Sequence, residues 1–282
     1  MYKPYALITG ASEGLGKYIS LECAKKQMNL VLVALPNSSL RRLAKYIEKK
    51  YNVDVLCFEL DLSDTTCCYQ LYNAVKEKNI IINTLINNAG MGGTFFFDEK
   101  SADYYAKMLS LNITTPTLLC RLFLNDLKKS SPSYILNVSS LASLFSLPKK
   151  QVYGGTKSYL LSFSKSLRQE LKKENISVSV LCPGIMNTNW RLLLANRTTG
   201  TWIMRQSVME PVKVAAIAMR SMLGKKEVTI PGFWNHFFIF LSWITPGKIR
   251  KMMINFQIRS VLKSDAAVVR VLKQRQQLAA AK

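Results

Sequence analysis

Over the first 230 residues of this chain, short apolar runs alternate with longer segments whose apolar residues recur every three or four positions. Seven runs read as strands: Tyr5–Thr9, Leu30–Leu35, Asp54–Glu59, Thr84–Asn87, Tyr134–Val138, Ser177–Cys182 and Glu227–Ile230. Each is short, apolar and bounded by Gly, Asn, Ser or Pro, the pattern of strands buried on both faces of a parallel sheet. Between them, Leu15–Lys26, Leu40–Tyr51, Thr65–Lys78, Tyr153–Lys173 and Val212–Leu223 carry amphipathic helical spacing. The alternation predicts right-handed crossovers and an α/β architecture: a doubly wound parallel sheet of about seven strands with helices on both faces. No repeat or linker divides residues 1–230, which read as one domain.

Pro231-Gly232 closes the alternation, and residues 231–282 read as a basic, hydrophobic helical extension. Its aromatic run Phe233–Ile244 is too short to span a bilayer, which takes about 20 apolar residues. Beyond it, Ile249, Met252, Met253 and Phe256 form one apolar helical stripe between Lys248, Arg250, Lys251 and Arg259. Two readings fit the extension: an anchor lying on a membrane surface, or a lid or dimer contact packed on the domain.

Charge sharpens the picture. The chain of 282 residues carries a net +22, from 39 Lys and Arg against 17 Asp and Glu, which favours an anionic partner. Nine basic residues and one acidic residue, Asp265, follow Val228. No DNA- or RNA-reading motif accompanies them, so no specific nucleic-acid partner is expected. The six cysteines are scattered and the single histidine, His236, has no Cys/His neighbours, so neither a disulfide framework nor a zinc site is expected. No charged segment followed by an apolar one fits before the first strand, so a cytoplasmic location is expected, with the inner membrane face as the surface for the extension.

The candidate chemistry begins at Thr9-Gly10-Ala11-Ser12-Glu13-Gly14-Leu15-Gly16, between the first strand and the first helix. Glycines there let the backbone approach a diphosphate, and the helix N-terminus supplies N–H donors and a positive dipole. Farther on, Tyr153 and Lys157 stand at i, i+4 on one helix and share a face. A nearby ammonium favours a phenolate, which would make Tyr153 a workable general acid/base.

With Gly-x3-Gly-x-Gly spacing in that turn, the chain resembles the short-chain dehydrogenase/reductase family over roughly its first 230 residues. The resemblance rests on several further motifs in order: Leu60-Asp61-Leu62, Asn87-Asn88-Ala89-Gly90, Leu111-Asn112-Ile113, Ser139-Ser140, Tyr153-Gly154-Gly155-Thr156-Lys157 and Pro183-Gly184-Ile185-Met186-Asn187-Thr188. It implies a nicotinamide cofactor held by Gly10, Ser12, Glu13, Gly14, Leu15, Gly16, Asp61, Leu62, Asn88, Ala89, Gly90, Pro183, Gly184, Ile185 and Thr188, with Tyr153 and Lys157 also touching it. It further implies Tyr153 as proton donor, Ser140 (Ser139 ranking behind it) on the developing alkoxide, Lys157 on the ribose, and Asn112 holding a water of the proton relay. Gly155 and Thr156 replace the family's usual Ala-Ser, both small. No acidic residue follows the second strand to bind a ribose hydroxyl, while Ser38, Ser39, Arg41 and Arg42 stand near enough for a phosphate, so NADP(H) is favoured over NAD(H). The expected substrate is a ketone, or the corresponding alcohol, on a hydrophobic, acyl-chain-like or steroid-like molecule. The alternatives are the same chemistry on a small polar ketone or sugar, and a non-catalytic cofactor-binding regulator. A homo-oligomer of two or four chains is implied by resemblance alone.

Overall fold

The computed structural model describes residues 4–187 and 207–245. Thr188, residues 189–206 of the following loop and the 249–256 stripe lie outside them. Seven parallel strands form one sheet in the order β3-β2-β1-β4-β5-β6-β7: β1 (Tyr5–Thr9), β2 (Asn29–Ala34), β3 (Val55–Glu59), β4 (Ile82–Asn87), β5 (Ser133–Val138), β6 (Ile176–Leu181) and β7 (Val228–Thr229). The expected Rossmann-type sheet is therefore the observed one. β2 and β6 are buried at every residue; β2 is apolar from Leu30 to Ala34, whereas β6 buries the small Ser177 and Ser179 among its apolar residues. β3, at the edge, is only half-buried.

Helices α1 (Gly14–Lys25), α2 (Leu40–Tyr51), α3 (Thr66–Glu77), α4 (Ala102–Leu109), α5 (Thr115–Leu122), α6 (Leu124–Lys129), α7 (Gln151–Leu171) and α8 (Pro211–Leu223) make the crossovers. α2 illustrates the local logic: Leu40, Leu43, Ala44 and Ile47 share its buried face. Asn52 then ends it in the left-handed conformation with φ 53°. One layer of the core gathers Leu7, Val31, Val33, Leu85 and Ile135 from the sheet beneath Leu71, Val75, Leu119, Phe123 and Leu171. The alternate residues Ile8, Leu30 and Leu32 point to the opposite face and are equally buried. α1 and α8 pack there against each other, with Cys23 Sγ 3.6 Å from Met219 Sδ. An ion pair between the part-exposed Lys76 and the buried Asp126 ties α3 to α6, and Asp126 also accepts the Ile82 N–H at 3.4 Å.

The chain divides into two compact units. The first holds the sheet, within Met1–Pro183 and Pro211–Pro231, and the second lies within Gly184–Glu210 and Gly232–Lys282. In the second unit Met186 bridges Met209 in parallel, and α9 (Phe233–Ile244) follows Gly232.

Candidate active site

The glycine-rich turn is built by close approaches that a side chain would block. Gly10 takes φ +64°, and a Cβ on it would lie 2.9 Å from Ala89 Cα. A Cβ on Gly16 would lie 2.1 Å from the Gly10 carbonyl oxygen. The turn is stitched to the end of β4 through Thr9, whose hydroxyl accepts the N–H groups of Asn88 and Ala89, both at 3.0 Å. Asn88 Nδ2 donates back to the carbonyls of Thr9 at 2.9 Å and Gly10 at 3.1 Å. Glu13, the N-cap of α1, makes no side-chain capping bond, and no acidic residue stands in the first turn. The helix end therefore keeps its N–H donors uncapped by side chains, and with the glycine cradle it fits a diphosphate.

Next to this turn lies the start of α2. Ser39 Oγ donates to the Ser12 carbonyl at 2.9 Å, and the Ser38 hydroxyl is buried without a hydrogen-bond partner. Arg41 is engaged by Glu59 at 3.1 Å, whereas Arg42 makes no ion pair among the described residues. At the end of β2, Leu35 is 58% exposed.

Asp61 has its carboxylate committed: Oδ1 accepts from Ser63 Oγ at 2.6 Å and Ser63 N at 3.1 Å, and Oδ2 from Lys107 at 2.9 Å. The Ser63 hydroxyl, with help from Lys107, holds it below the usual carboxylate range. Leu62 turns its side chain into the core, so only its backbone faces outward chemistry, and its carbonyl already accepts from Thr115 Oγ1.

Asn112 sits in a π-helical turn, Ser110–Thr114, between α4 and α5, and is buried. Such turns widen the helix and re-aim one side chain. Both Nδ2 hydrogens are spent, on the Met91 carbonyl at 2.8 Å and Thr156 Oγ1 at 3.0 Å, while Oδ1 accepts from Met91 N at 2.9 Å. Within the side chain, the second lone pair of Oδ1 is what remains for a water.

Ser139 and Ser140 diverge at the end of β5. Ser139 Oγ is buried and donates to the Lys157 carbonyl at 2.7 Å, anchoring α7 to the sheet. Ser140 faces the phenol of Tyr153, and its hydrogen bond there opposes the burial that pushes the tyrosine up. Its Oγ also accepts the Ala142 N–H at 3.1 Å. Lys157 is buried, donates to the Val138 carbonyl at 2.9 Å, and has Nζ 5.9 Å from the Tyr153 ring centroid. Desolvation lowers it to about 8. Sequence reasoning expected the ammonium to draw the phenol toward ionisation; here burial dominates both groups, so Tyr153 is held neutral and Lys157 is the strained one.

Three participants escaped sequence reasoning. Gly92 lies under the tyrosine ring, where a Cβ would come 2.6 Å from Tyr153 Cδ2. The Thr156 hydroxyl accepts from Asn112 while donating to the Tyr153 carbonyl at 2.8 Å. The Val138 carbonyl holds Lys157. Only Thr156 carried a signal, by its place inside the Tyr–Lys segment. Pro183 accepts from Leu141 N at 2.9 Å, Gly184 packs on Asn235, and the Ile185 carbonyl accepts from Met209 N at 3.0 Å.

This arrangement is that of a dinucleotide-dependent oxidoreductase fold. A family description, "short chain dehydrogenase", matches residues 4–197. The chain is 27% identical over 263 residues to a very-long-chain 3-oxoacyl-CoA reductase of Vanderwaltozyma polyspora, covering 89% of this chain and 74% of that one. It is 33% identical over 189 residues to an NADP-dependent 3-hydroxy acid dehydrogenase of Schizosaccharomyces pombe, covering 66% and 73%. Among solved structures, the bulky-bulky ketone specific alcohol dehydrogenase of Comamonas testosteroni superposes with a TM-score of 0.72 at 27% identity, covering 88% of this chain and 96% of that one. The chain belongs to the short-chain dehydrogenase family. It is an NAD(P)-dependent oxidoreductase acting on CH–OH groups.

Proposed function

We propose that this enzyme reduces a ketone on a hydrophobic, acyl-chain-like or steroid-like molecule with NADPH, Tyr153 serving as the acid. The observation that carries the reading is Tyr153 on α7 with the buried Lys157 Nζ 5.9 Å from its ring centroid. Bound cofactor supplies the hydride, and everything else falls to the side chains. Burial keeps the Tyr153 phenol protonated at neutral pH, so it is loaded to deliver a proton to the carbonyl oxygen. Ser140 Oγ accepts the Ala142 N–H and keeps its own hydrogen to donate to the oxygen that gains negative charge. After transfer, the Lys157 charge favours the phenolate left behind. Asn112, gripped by Met91 and Thr156, offers Oδ1 to a water that returns the proton.

For the cofactor, the glycine turn and the uncapped start of α1 take the diphosphate. The unpartnered Ser38 hydroxyl and the Arg42 guanidinium suit a ribose 2′-phosphate, and no acid after β2 repels one. The 3-oxoacyl-CoA reductase and bulky-ketone dehydrogenase among the relatives favour an apolar substrate. The test is the initial rate of NADPH oxidation with a long-chain 3-oxoacyl thioester, beside NADH and a Tyr153→Phe control. Turnover with NADPH that disappears in the control supports the proposal. Tight NADPH binding without turnover defeats the acyl-chain assignment and leaves other carbonyls to be tried.

A further inference from the structure

α9 turns its greasiest side outward. Phe233, Phe237, Phe240 and Ile244 are 76%, 42%, 59% and 62% exposed. Their spacing of four, three and four residues places them within about 60° of arc on a helix that advances about 100° per residue. The opposite side holds Asn235, which is buried against Gly184 and Gly232 and fixes which way the helix faces. No Asp, Glu, Lys or Arg occurs anywhere in Phe233–Ile244. A solvated helix ordinarily does the reverse, burying its apolar stripe and presenting charge to water.

With each aromatic side chain worth on the order of 200 Å², these exposures leave roughly 400 Å² of continuous apolar surface. A patch of that size is as large as the largest on an ordinary monomer, and such patches are often functional. A second copy of the chain is a poor occupant, because pairing two such stripes buries roughly 800 Å² in all, and a stable dimer needs about 1,200 Å² or more. The sequence that follows the helix points to a different one. Beyond Ile244 the chain carries nine basic residues against one acidic residue. Phe-rich surface beside concentrated Lys and Arg complements a bilayer interface with anionic headgroups. Among the described residues no helix is long and apolar enough to cross a membrane.

We infer that the outward stripe of α9 seats the enzyme on an anionic lipid bilayer, its rings entering the headgroup–acyl boundary. The inference is independent of the catalytic assignment, since none of the four residues belongs to that site.

The experiment is vesicle flotation of the full chain, with phosphatidylcholine alone and with phosphatidylcholine containing phosphatidylserine. It compares the natural chain with the double variant Phe237→Ser, Phe240→Ser, both followed by thermal melting and light scattering. The natural chain is expected to float with the anionic vesicles, and the variant to bind at least about tenfold more weakly with an unchanged melting temperature. Three results would overturn the inference: no flotation of the natural chain, equal flotation of the variant, or a dimer that the double substitution dissociates without any vesicle binding.

Discussion

Replacing Lys157 by Met should make the protein inactive and, at the same time, more heat-resistant. The ammonium is buried, and desolvation lowers it from 10.5 to about 8. At about 1.36 kcal/mol per pKa unit, holding that charge in the fold costs about 3 kcal/mol at pH 7. Met keeps the length and apolar stem of the side chain but removes the charge. Against this gain, the Val138 carbonyl loses its donor, which costs about 1–2 kcal/mol. The net gain is about 1–2 kcal/mol, and in a chain of this size it raises the melting temperature by roughly 2–6 °C. The same physics fixes a pH dependence. Between pH 8 and 10.5 the unfolded lysine holds a proton that the folded one has released, so raising the pH through this window stabilises the natural fold relative to the Met variant. Calorimetric melts of both proteins at pH 7 and across the alkaline range measure the difference. A Met variant that melts lower than the natural chain at pH 7, or a gap that does not shrink as the pH rises, would refute the account of Lys157 as a strained cation.

Other substitutions probe the remaining parts. Gly16→Ala drives a methyl toward the Gly10 carbonyl, 2.1 Å away, and should weaken cofactor binding by at least about tenfold in fluorescence titration. Undiminished binding would mean the turn opens without cost. Gly92→Ala should displace the Tyr153 ring, lowering kcat by about 10–100-fold while leaving the cofactor Kd unchanged; parallel losses in both would show that the loop, not the ring, had moved. Arg42→Ala should raise KM for NADPH by roughly tenfold and leave NADH nearly untouched. Equal effects on the two cofactors would remove Arg42 from phosphate recognition.

Much of this molecule is visible in its pattern of apolar residues, and the misses have physical causes. A strand buried on both faces reads as an apolar run, so β2 stands out, while β6 is read through its β-branched residues despite Ser177 and Ser179. β4 begins at Ile82 rather than Thr84, because Ile82 pairs with Tyr5 of β1 across a register shift that has no local signal. Between β4 and β5, the succession of α4, a π-turn, α5 and α6 escaped periodicity, since the π-turn shifts the register that an apolar stripe would need. The glycine turn and the Tyr153/Lys157 spacing were legible because motif residues lie close together in sequence. Gly92 and the Val138 carbonyl were not, because their roles arise from three-dimensional proximity alone. Burial likewise reverses what spacing suggested for the Tyr153 proton, and solvent exclusion leaves no trace in a residue pair.

The strand order also sets a timetable for assembly. β1, synthesised first, lies between β2 and β4, so its second edge waits until Ile82–Asn87 have left the ribosome. The hydrogen bonds from Asn88 that lock the glycine turn span 79 and 78 residues and can close only at that moment. Contacts so distant along the chain form slowly, because a long loop must be ordered before they are rewarded. The dinucleotide cradle is thus a late product of folding even though half of it lies among the first sixteen residues. A nascent chain halted before β4 would expose the apolar edge of β1 and bind no cofactor, whereas one that had passed β4 would hold both walls of the cradle and be open to stabilisation by the dinucleotide itself.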